Sequence, residues 1–316
     1  VILVAGGTGT TGTHLVRLLR ARGENVRVLT RKPSRASHLE GVEVVVGDVR
    51  DADVVRRAAT GVGTVVSLVQ GFAGPGEISL ESIDRDGNRN LFNAASEAGV
   101  EHGILASIAW AAPDSRMDLA QMKFAAEEHL KSTGMAWTIL RPSCLMETWT
   151  NMIGEPLLKT GKTTVYGHGR RATNFVSALD LARFADLAVV DPALRGQTIQ
   201  VGGPNMTFNQ FVEEFAVAAG VEPKAAHLPL PVMRVMQYAM RPFNLVMARH
   251  VQMGVVIHTR DTSFDAGPTR SRFPGIPVTS LREVVAAELA VRDAPALAQG
   301  PRNLAENSAV AGAPRG

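Results

Sequence analysis

The sequence predicts an α/β protein built on a doubly wound parallel sheet, and three observations lead there. Short β-branched runs alternate with longer segments of helical period through the first two thirds of the chain. Most of those runs are almost continuously apolar, as strands covered on both faces must be. A glycine-rich turn joins the first run directly to the first helical segment.

The expected strands are 1–5, 26–30, 42–46, 64–69, 103–107, 137–140 and 198–201. Between them, Leu15, Leu18, Leu19 and Arg22 share one face of a first helix. Ile83, Gly87, Leu91, Ala94, Ala95 and Ala98 form an apolar stripe on another, which Ala98 and Gly99 should stop. A helix over 119–132 leads through Thr133 and Gly134 into the strand containing Trp137, and one over 178–190 ends before Asp191 and Pro192. Thr207 and Gln210 are spaced as a capping box for a helix over 208–219. Residues 143–175, rich in Gly, Thr and Arg, read as an excursion from the sheet, and 204–290 as a smaller, mainly helical lobe. Residues 1–291 are thus expected to form one domain whose substrate lobe combines 143–175 and 204–290, with 292–316 as a disordered tail.

Composition narrows the function classes. The chain has 316 residues, 45% hydrophobic and 20% charged, enough for a substantial core. Lys plus Arg number 33 against 30 Asp plus Glu, a net charge of +3 that leaves no nucleic-acid footprint. The single cysteine, Cys144, excludes an internal disulfide and a cysteine-rich zinc site and suits a reducing cytosol. The first residues carry no secretory pattern, so a cytoplasmic location is expected. The most membrane-like stretch, 230–257, is interrupted by Arg234, Arg241, Pro242, Arg249 and His250, too often for a span of about 20 apolar residues. The eight histidines show no metal-ligand spacing, and no metal is expected.

Gly6, Gly9 and Gly12, interleaved with Thr8, Thr10 and Thr11, stand where the chain must turn tightly and approach a pyrophosphate. Backbone N–H groups and the positive helix end would then stabilise phosphates, as in a Rossmann-like fold; an ordinary tight turn is the bland alternative. Thr30 lies 18 positions beyond Gly12, near the place where NAD-specific sites carry an acid for the ribose. This chain has Thr30, Arg31, Lys32 and Arg35 instead, so a 2′-phosphate and hence NADP(H) is favoured over NAD(H), unless the loop is merely solvated. Gly47, Asp48 and Val49 follow the third strand; Asp48 could meet adenine or cap the helix beginning near Asp51. Val69, Gln70, Gly71 and Phe72 follow the fourth strand at the edge where open α/β sheets bind ligands.

These segments, GGTGTTG (6–12), LTRKPSR (29–35), GDVRD (47–51), KFAAEEHLKSTGMAWTILRPS (123–143) and SALDLARFADLAV (177–189), resemble the atypical short-chain dehydrogenase/reductases, close to the NmrA-like NAD(P)-binding group, from residue 1 to about 291. The resemblance implies a serine, a tyrosine and a lysine, the last two spaced YxxxK. Ser107 matches the serine and Lys123 the lysine, but Leu119 occupies the tyrosine position and has no proton to donate. Tyr166 and Tyr238 are the only tyrosines. Isoflavone-reductase-like relatives also lack that tyrosine and use a lysine for proton management, which points to Lys123. The bland readings are a solvated Lys123 paired with Glu127 one helical turn on, and a Ser107 hydroxyl serving the local backbone.

Ser143, Leu145, Met146 and Trp149 leave the sixth strand where a nicotinamide would lie and are the expected substrate contacts; Arg141 reads as structural. Cys144 lacks an evident His partner for nucleophilic work. The basic loop 167–171 could close over the cofactor or an acidic substrate or be a solvated surface loop, with His168 the leading histidine for proton transfer. Met233, Met236, Met240, Met247 and Met253 offer deformable apolar surface or simple packing. The expected function is an NADPH-dependent reductase passing hydride to an apolar acceptor such as a quinone, enone or ketone. In that reading Ser107 polarises the acceptor, Lys123 holds the ribose and solvent supplies the proton. The alternative is a non-catalytic NADP(H) sensor of NmrA type; an epimerase using tightly held NAD is disfavoured by Arg31 and the missing tyrosine. A small-molecule substrate and a homodimer are the partners this allows.

Overall fold

The computed structural model describes residues 1–72, 74 and 78–293. Its first strand, β1 (Ile2–Ala5), is buried at every position and turns through glycines into α1 (Thr10–Ala21). There follow β2 (Val26–Thr30), β3 (Glu43–Val46), α2 (Ala52–Ala59) and β4 (Thr64–Ser67). A π-helical turn over Leu80–Arg85 runs into α3 (Asp86–Glu97), then come β5 (His102–Ala106), α4 (Asp118–Ser132) and β6 (Ala136–Pro142). The excursion holds β7 (Cys144–Leu145), α5 (Met146–Trp149), α6 (Glu155–Thr160), β8 (Thr163–Tyr166) and β9 (Ala172–Val176). The chain returns through α7 (Ala178–Val190) to β10 (Gln197–Val201). It ends in β11 (Asn205–Thr207), α8 (Phe208–Ala219), β12 (Ala225–Leu228), α9 (Leu230–Ala239), α10 (Leu245–Thr259), α11 (Gly267–Arg272) and α12 (Leu281–Asp293).

The main sheet has seven strands in the order β10-β6-β5-β4-β1-β2-β3, and every pair is parallel. Parallel neighbours need crossover helices, and these bury the sheet from both sides. On one face Leu15, Val16 and Leu19 of α1 meet Phe184 and Ala185 of α7. On the other Val55, Leu91, Phe92 and Leu130 converge from α2, α3 and α4. Strand order reverses between β1 and β4, so a crevice opens at their carboxyl ends, where such sheets hold ligands.

The expected strands all form, with shifted ends. β4 stops at Ser67 and leaves Val69 in the loop, and β5 stops at Ala106, leaving Ser107 just beyond it. β3 departs from the double-covered reading: it is the edge strand, with Val44 and Val46 exposed. Arg22 does not share the buried stripe of α1 but follows its last turn and pairs with Asp186 at 3.1 Å. α7 and α8 span the expected residues, and the Thr207–Gln210 capping box is present.

The excursion and the C-terminal segments share a separate core in which Trp149, Phe175, Phe208, Phe211 and Phe215 interlock. Arg292 and Asp293 continue α12, so they are not part of the expected tail; its remainder, 294–316, lies outside the described residues. Among the described residues no helix is long and apolar enough to cross a membrane.

Candidate functional site

The crevice begins at the glycine turn. Gly6 has φ +85°, and a Cβ there would lie 2.9 Å from the Leu68 carbonyl carbon and oxygen. At Gly12 the conflict is greater, 2.2 Å from the Gly6 oxygen and 2.6 Å from the Gly7 Cα. The backbone of β1, the turn and α1 is therefore folded more tightly than any side chain allows. Gly9 is the N-cap of α1 and has no side chain to cap it, and no acidic residue stands in the first turn. The leading N–H groups of α1, around Thr10 and the buried Thr11, present a positive end without a carboxylate competitor. A cradle of this form fits a dinucleotide pyrophosphate.

At the end of β2, the Thr30 hydroxyl is 3.4 Å from that of Thr8 and accepts from the Lys32 N–H at 3.3 Å. Arg31 and Lys32 project to the surface beyond it, and Arg35 is half-buried on the following 3-10 turn. Asp48 accepts from the Arg50 guanidinium at 3.1 and 3.0 Å, with Arg31 4.0 Å away. Burial pulls the Asp48 carboxyl upward, but the Arg50 hydrogen bonds and the charges of Arg50 and Arg31 prevail and hold it below the usual carboxylate range. The capping alternative for Asp48 is corrected here: Asp51 caps α2, accepting from the N–H groups of Asp53 and Val54. Val49 is buried against Gly87, and its carbonyl accepts from Asn90 at 3.1 Å.

Lys123 lies on α4 and is 2% exposed. Its Nζ donates to the Val69 carbonyl at 2.9 Å and pairs with Asp84 Oδ1 at 3.0 Å. Asp84, fully buried on the π-helical turn, accepts the Gly71 N–H on its other oxygen at 2.8 Å. Burial raises the Asp84 carboxyl, opposed by Lys123, the Gly71 N–H and Arg249. Lysine and aspartate together hold the segment after β4: Val69 half-buried, Gln70 exposed, and Gly71 so close to Ser79 that a Cβ would meet its carbonyl oxygen at 2.3 Å. The solvated reading of Lys123 fails on burial, and the expected Glu127 partner is engaged elsewhere.

Glu127 is itself 0% exposed, accepts from the Ser107 hydroxyl, and takes two hydrogen bonds from Arg141, at 2.9 Å from Nε and 2.5 Å from Nη2. Arg141 is structural, as expected. Ser107 is buried, and its proton is directed at a carboxylate rather than at the local backbone.

Leu119 belongs to an apolar cluster with Phe72, Leu80, Met117 and Ala120, flanked by Ile108, Met122, Met253 and Val256. The tyrosine position is thus filled by packing. Tyr238 is exposed beneath Arg241, 5.3 Å from ring to guanidinium carbon, and Tyr166 is half-buried on the lobe core, its phenol pushed up by burial. Of the four expected substrate contacts, Leu145 is partly exposed, and Ser143 is buried with its hydroxyl unpartnered among the described residues. Met146 and Trp149 are instead fully buried in the lobe core, not on an open wall, because Trp149 packs edge-on against Phe208 at 4.5 Å. The Cys144 thiol is pushed up to about 12 by burial and is inert as a nucleophile. His168 lies in the lobe against His258, rings 4.2 Å apart, and its Nδ1 accepts from Arg170. Met233 is core, Met253 flanks the Leu119 cluster, and Met247 is exposed.

Sequence reasoning missed Asp84, the Ser107–Glu127–Arg141 chain and Arg249, which is 6% exposed and donates to the Gly71 and Phe72 carbonyls at 3.1 Å. A signal existed for Asp84: it shares a helical row with Asn88, Leu91 and Ala95, all four at most 0% exposed. A carboxylate on that row needs a buried cation.

A family model described as NAD(P)H-binding matches residues 6–192. Over 207 residues the chain is 29% identical to the NAD(P)H azoreductase of Xenophilus azovorans, covering 65% of this chain and 68% of that protein. The NADPH-dependent quinone oxidoreductase of Escherichia coli, solved with NADPH, superposes with a TM-score of 0.75 at 22% identity, covering 92% of this chain and all (100%) of that one. The triphenylmethane reductase of Citrobacter sp., solved with NADP(H), gives 0.74 at 20% identity, covering 90% and 99%. With most of its sheet matched by the family model and the glycine cradle in place, the chain belongs to the NAD(P)H-binding family.

Proposed function

We propose that this protein is an NADPH-dependent reductase that delivers hydride to an apolar small-molecule acceptor, a quinone, enone or ketone. The observation that carries the reading is the pairing of a buried, ion-paired Lys123 with an apolar cluster at Leu119 where the superfamily's tyrosine would stand. The α1 N–H groups and Gly6, Gly9 and Gly12 would hold the pyrophosphate, with Thr8, Thr10 and Thr11 alongside. Arg31 and Lys32, and behind them Arg35, would take the 2′-phosphate, favouring NADP(H) over NAD(H). Asp48 and Val49 line the adenine end, and Val69, Gln70 and Gly71 the nicotinamide end.

When bound, the reduced nicotinamide supplies the hydride. Lys123 donates to the Val69 carbonyl and is ion-paired with Asp84, and a remaining N–H would reach a ribose hydroxyl. Ser107 keeps its proton on Glu127, so it turns a lone pair rather than a donor toward an acceptor oxygen unless its hydroxyl rotates. Such a site favours acceptors that need little help from a protein acid, and quinones, whose reduced oxygens take protons from water, meet that condition best. Ser143 and Leu145 contribute the near wall. The azoreductase relative and the quinone and triphenylmethane reductases of the same fold support this chemistry.

The test is loss of NADPH absorbance across a panel of quinones, enones and ketones, with Lys123→Met and Gly12→Val as controls. Turnover of a quinone by the wild type, lost in both variants, is expected. Tight NADPH binding with no turnover of any acceptor would replace this reading with the sensor.

A further inference from the structure

The hairpin of α9 and α10 carries apolar residues where solvent-facing positions call for polar ones. α9 turns Met233 and the polar Gln237 inward and Val232, Val235 and Tyr238 outward, and Phe243, Leu245 and Met247 extend that surface into α10. Phe243 is 85% exposed and Val235 69%. Of the thirteen large hydrophobic residues exposed among the described residues, these six fall within positions 232–247, a concentration unlike the scattered rest.

Charge follows the same boundary. Positions 223–260 contain no Asp or Glu but include Lys224, Arg234, Arg241, Arg249 and Arg260. Arg249 points inward; Arg241 lies 3.5 Å from Asp118, the nearest acid, and over the Tyr238 ring. Lys224, Arg234 and Arg260 have no ion pair among the described residues. Arg171 and Arg234 both bear on His258, beside His168, and Arg171 also bears on Asp261.

We propose that the outer face of α9–α10 docks on an anionic lipid bilayer, its apolar side chains in the headgroup region and its arginines on lipid phosphates. Charge complementarity selects this occupant over a second copy. A two-fold contact through the same face would bring two surfaces that carry arginines and no acid of their own against each other. The inner face of α10 holds Arg249 on the loop after β4, and Met253 and Val256 on the Leu119 cluster, so the docked surface backs the element that closes the acceptor side. Delivery of a bilayer-dissolved acceptor by that route rests on the reductase reading; docking itself does not.

The experiment sediments the full chain, saturated with NADPH, with vesicles of phosphatidylcholine and phosphatidylglycerol and with phosphatidylcholine alone. The anionic vesicles should carry down at least about tenfold more protein than the neutral ones, and added salt should reverse this. Arg234→Gln should lower the partition roughly fivefold, the equivalent of about 1 kcal/mol per surface cation. Val235→Glu with Phe243→Glu should abolish it while the melting midpoint and NADPH affinity stay unchanged. Equal binding to neutral vesicles, no pelleting by either, or full partition of a folded Arg234→Gln would overturn the proposal. So would a concentration-dependent dimer, seen by sedimentation velocity, that the double substitution dissolves. Loss of vesicle binding with quinone turnover intact removes docking and spares the reductase; the reverse result does the opposite.

Discussion

The two ends of the nucleotide crevice are built by opposite means. Along the glycine turn the structure works by omission: glycines leave no room for a Cβ, and α1 begins without a side-chain cap. Around Lys123 it works by addition, burying Lys123 with Asp84 and Glu127 with Arg141 to fix the loop after β4 and the Ser107 hydroxyl. The first device tolerates almost no added atoms, whether the neighbour is the turn itself, as at Gly12, or the distant Leu68 carbonyl, as at Gly6. The second joins distant residues and tolerates no unpaired charge, because desolvation is offset only while both partners remain.

That contrast is broken hardest by Asp84→Ala, which strands a lysine at 3% side-chain exposure and should cost about 3–5 kcal/mol in urea unfolding. Asp84→Leu with Lys123→Met should recover most of the stability without recovering turnover. A cost under about 1 kcal/mol for Asp84→Ala would mean that water reaches the pair.

At the other end, Gly12→Ala should act on binding more than on folding. Its methyl would sit 2.2 Å from a backbone oxygen that cannot swing aside, and the required shift should weaken NADPH roughly a hundredfold, about 3 kcal/mol, in a fluorescence titration. Unchanged affinity would show that the phosphates do not lie on this turn.

The joint between the two cores holds a third kind of charge. Glu147 of α5 receives the Ala178 N–H on both carboxyl oxygens, at 2.9 Å, and burial pushes its carboxyl from 4.5 up to about 7. Between those values the folded protein keeps a proton that the unfolded chain releases, so stability should fall as pH rises, by about 3 kcal/mol in total. His102 runs the other way: burial, with Arg195, lowers it from 6.5 to about 4, so its contribution is lost as pH falls through that window. Subtracting the unfolding profile of Glu147→Gln from that of the wild type isolates the falling component, and a flat difference would remove the assignment.

The smallest expected effect is at the exposed rim. Arg31 is half-exposed, so Arg31→Asp should weaken NADPH about tenfold and NADH little. Equal losses would remove the basis for cofactor preference.

What could be read from the sequence followed the same division. Strand runs, the capping box at Thr207 and Gln210 and the Gly12 end of the glycine turn carry local signals, and the structure reproduces them with strand ends moved by at most two positions. Lys123 and Ser107 were found by resemblance, but their partners were not, because Asp84 and Glu127 reach them across elements. The natural guess from helical spacing, Lys123 with Glu127, is overturned by Arg141 arriving from β6 with a planar donor fork that matches the carboxylate. Met146 and Trp149 differ from expectation for a related reason: the chain leaves the sheet edge as expected, but the lobe's aromatic core claims both side chains.

The central claim is that hydride leaves this crevice for an acceptor held against the Leu119 wall. It is tested most directly with NADPH carrying deuterium at the transferring ring carbon and an apolar enone whose product retains the label. Deuterium at the enone β-carbon, a slowed turnover with the labelled cofactor, and loss of both in Lys123→Met are expected. NADPH bound tightly to folded protein, with no label passing to the enone or to any other acceptor in the panel, would contradict it.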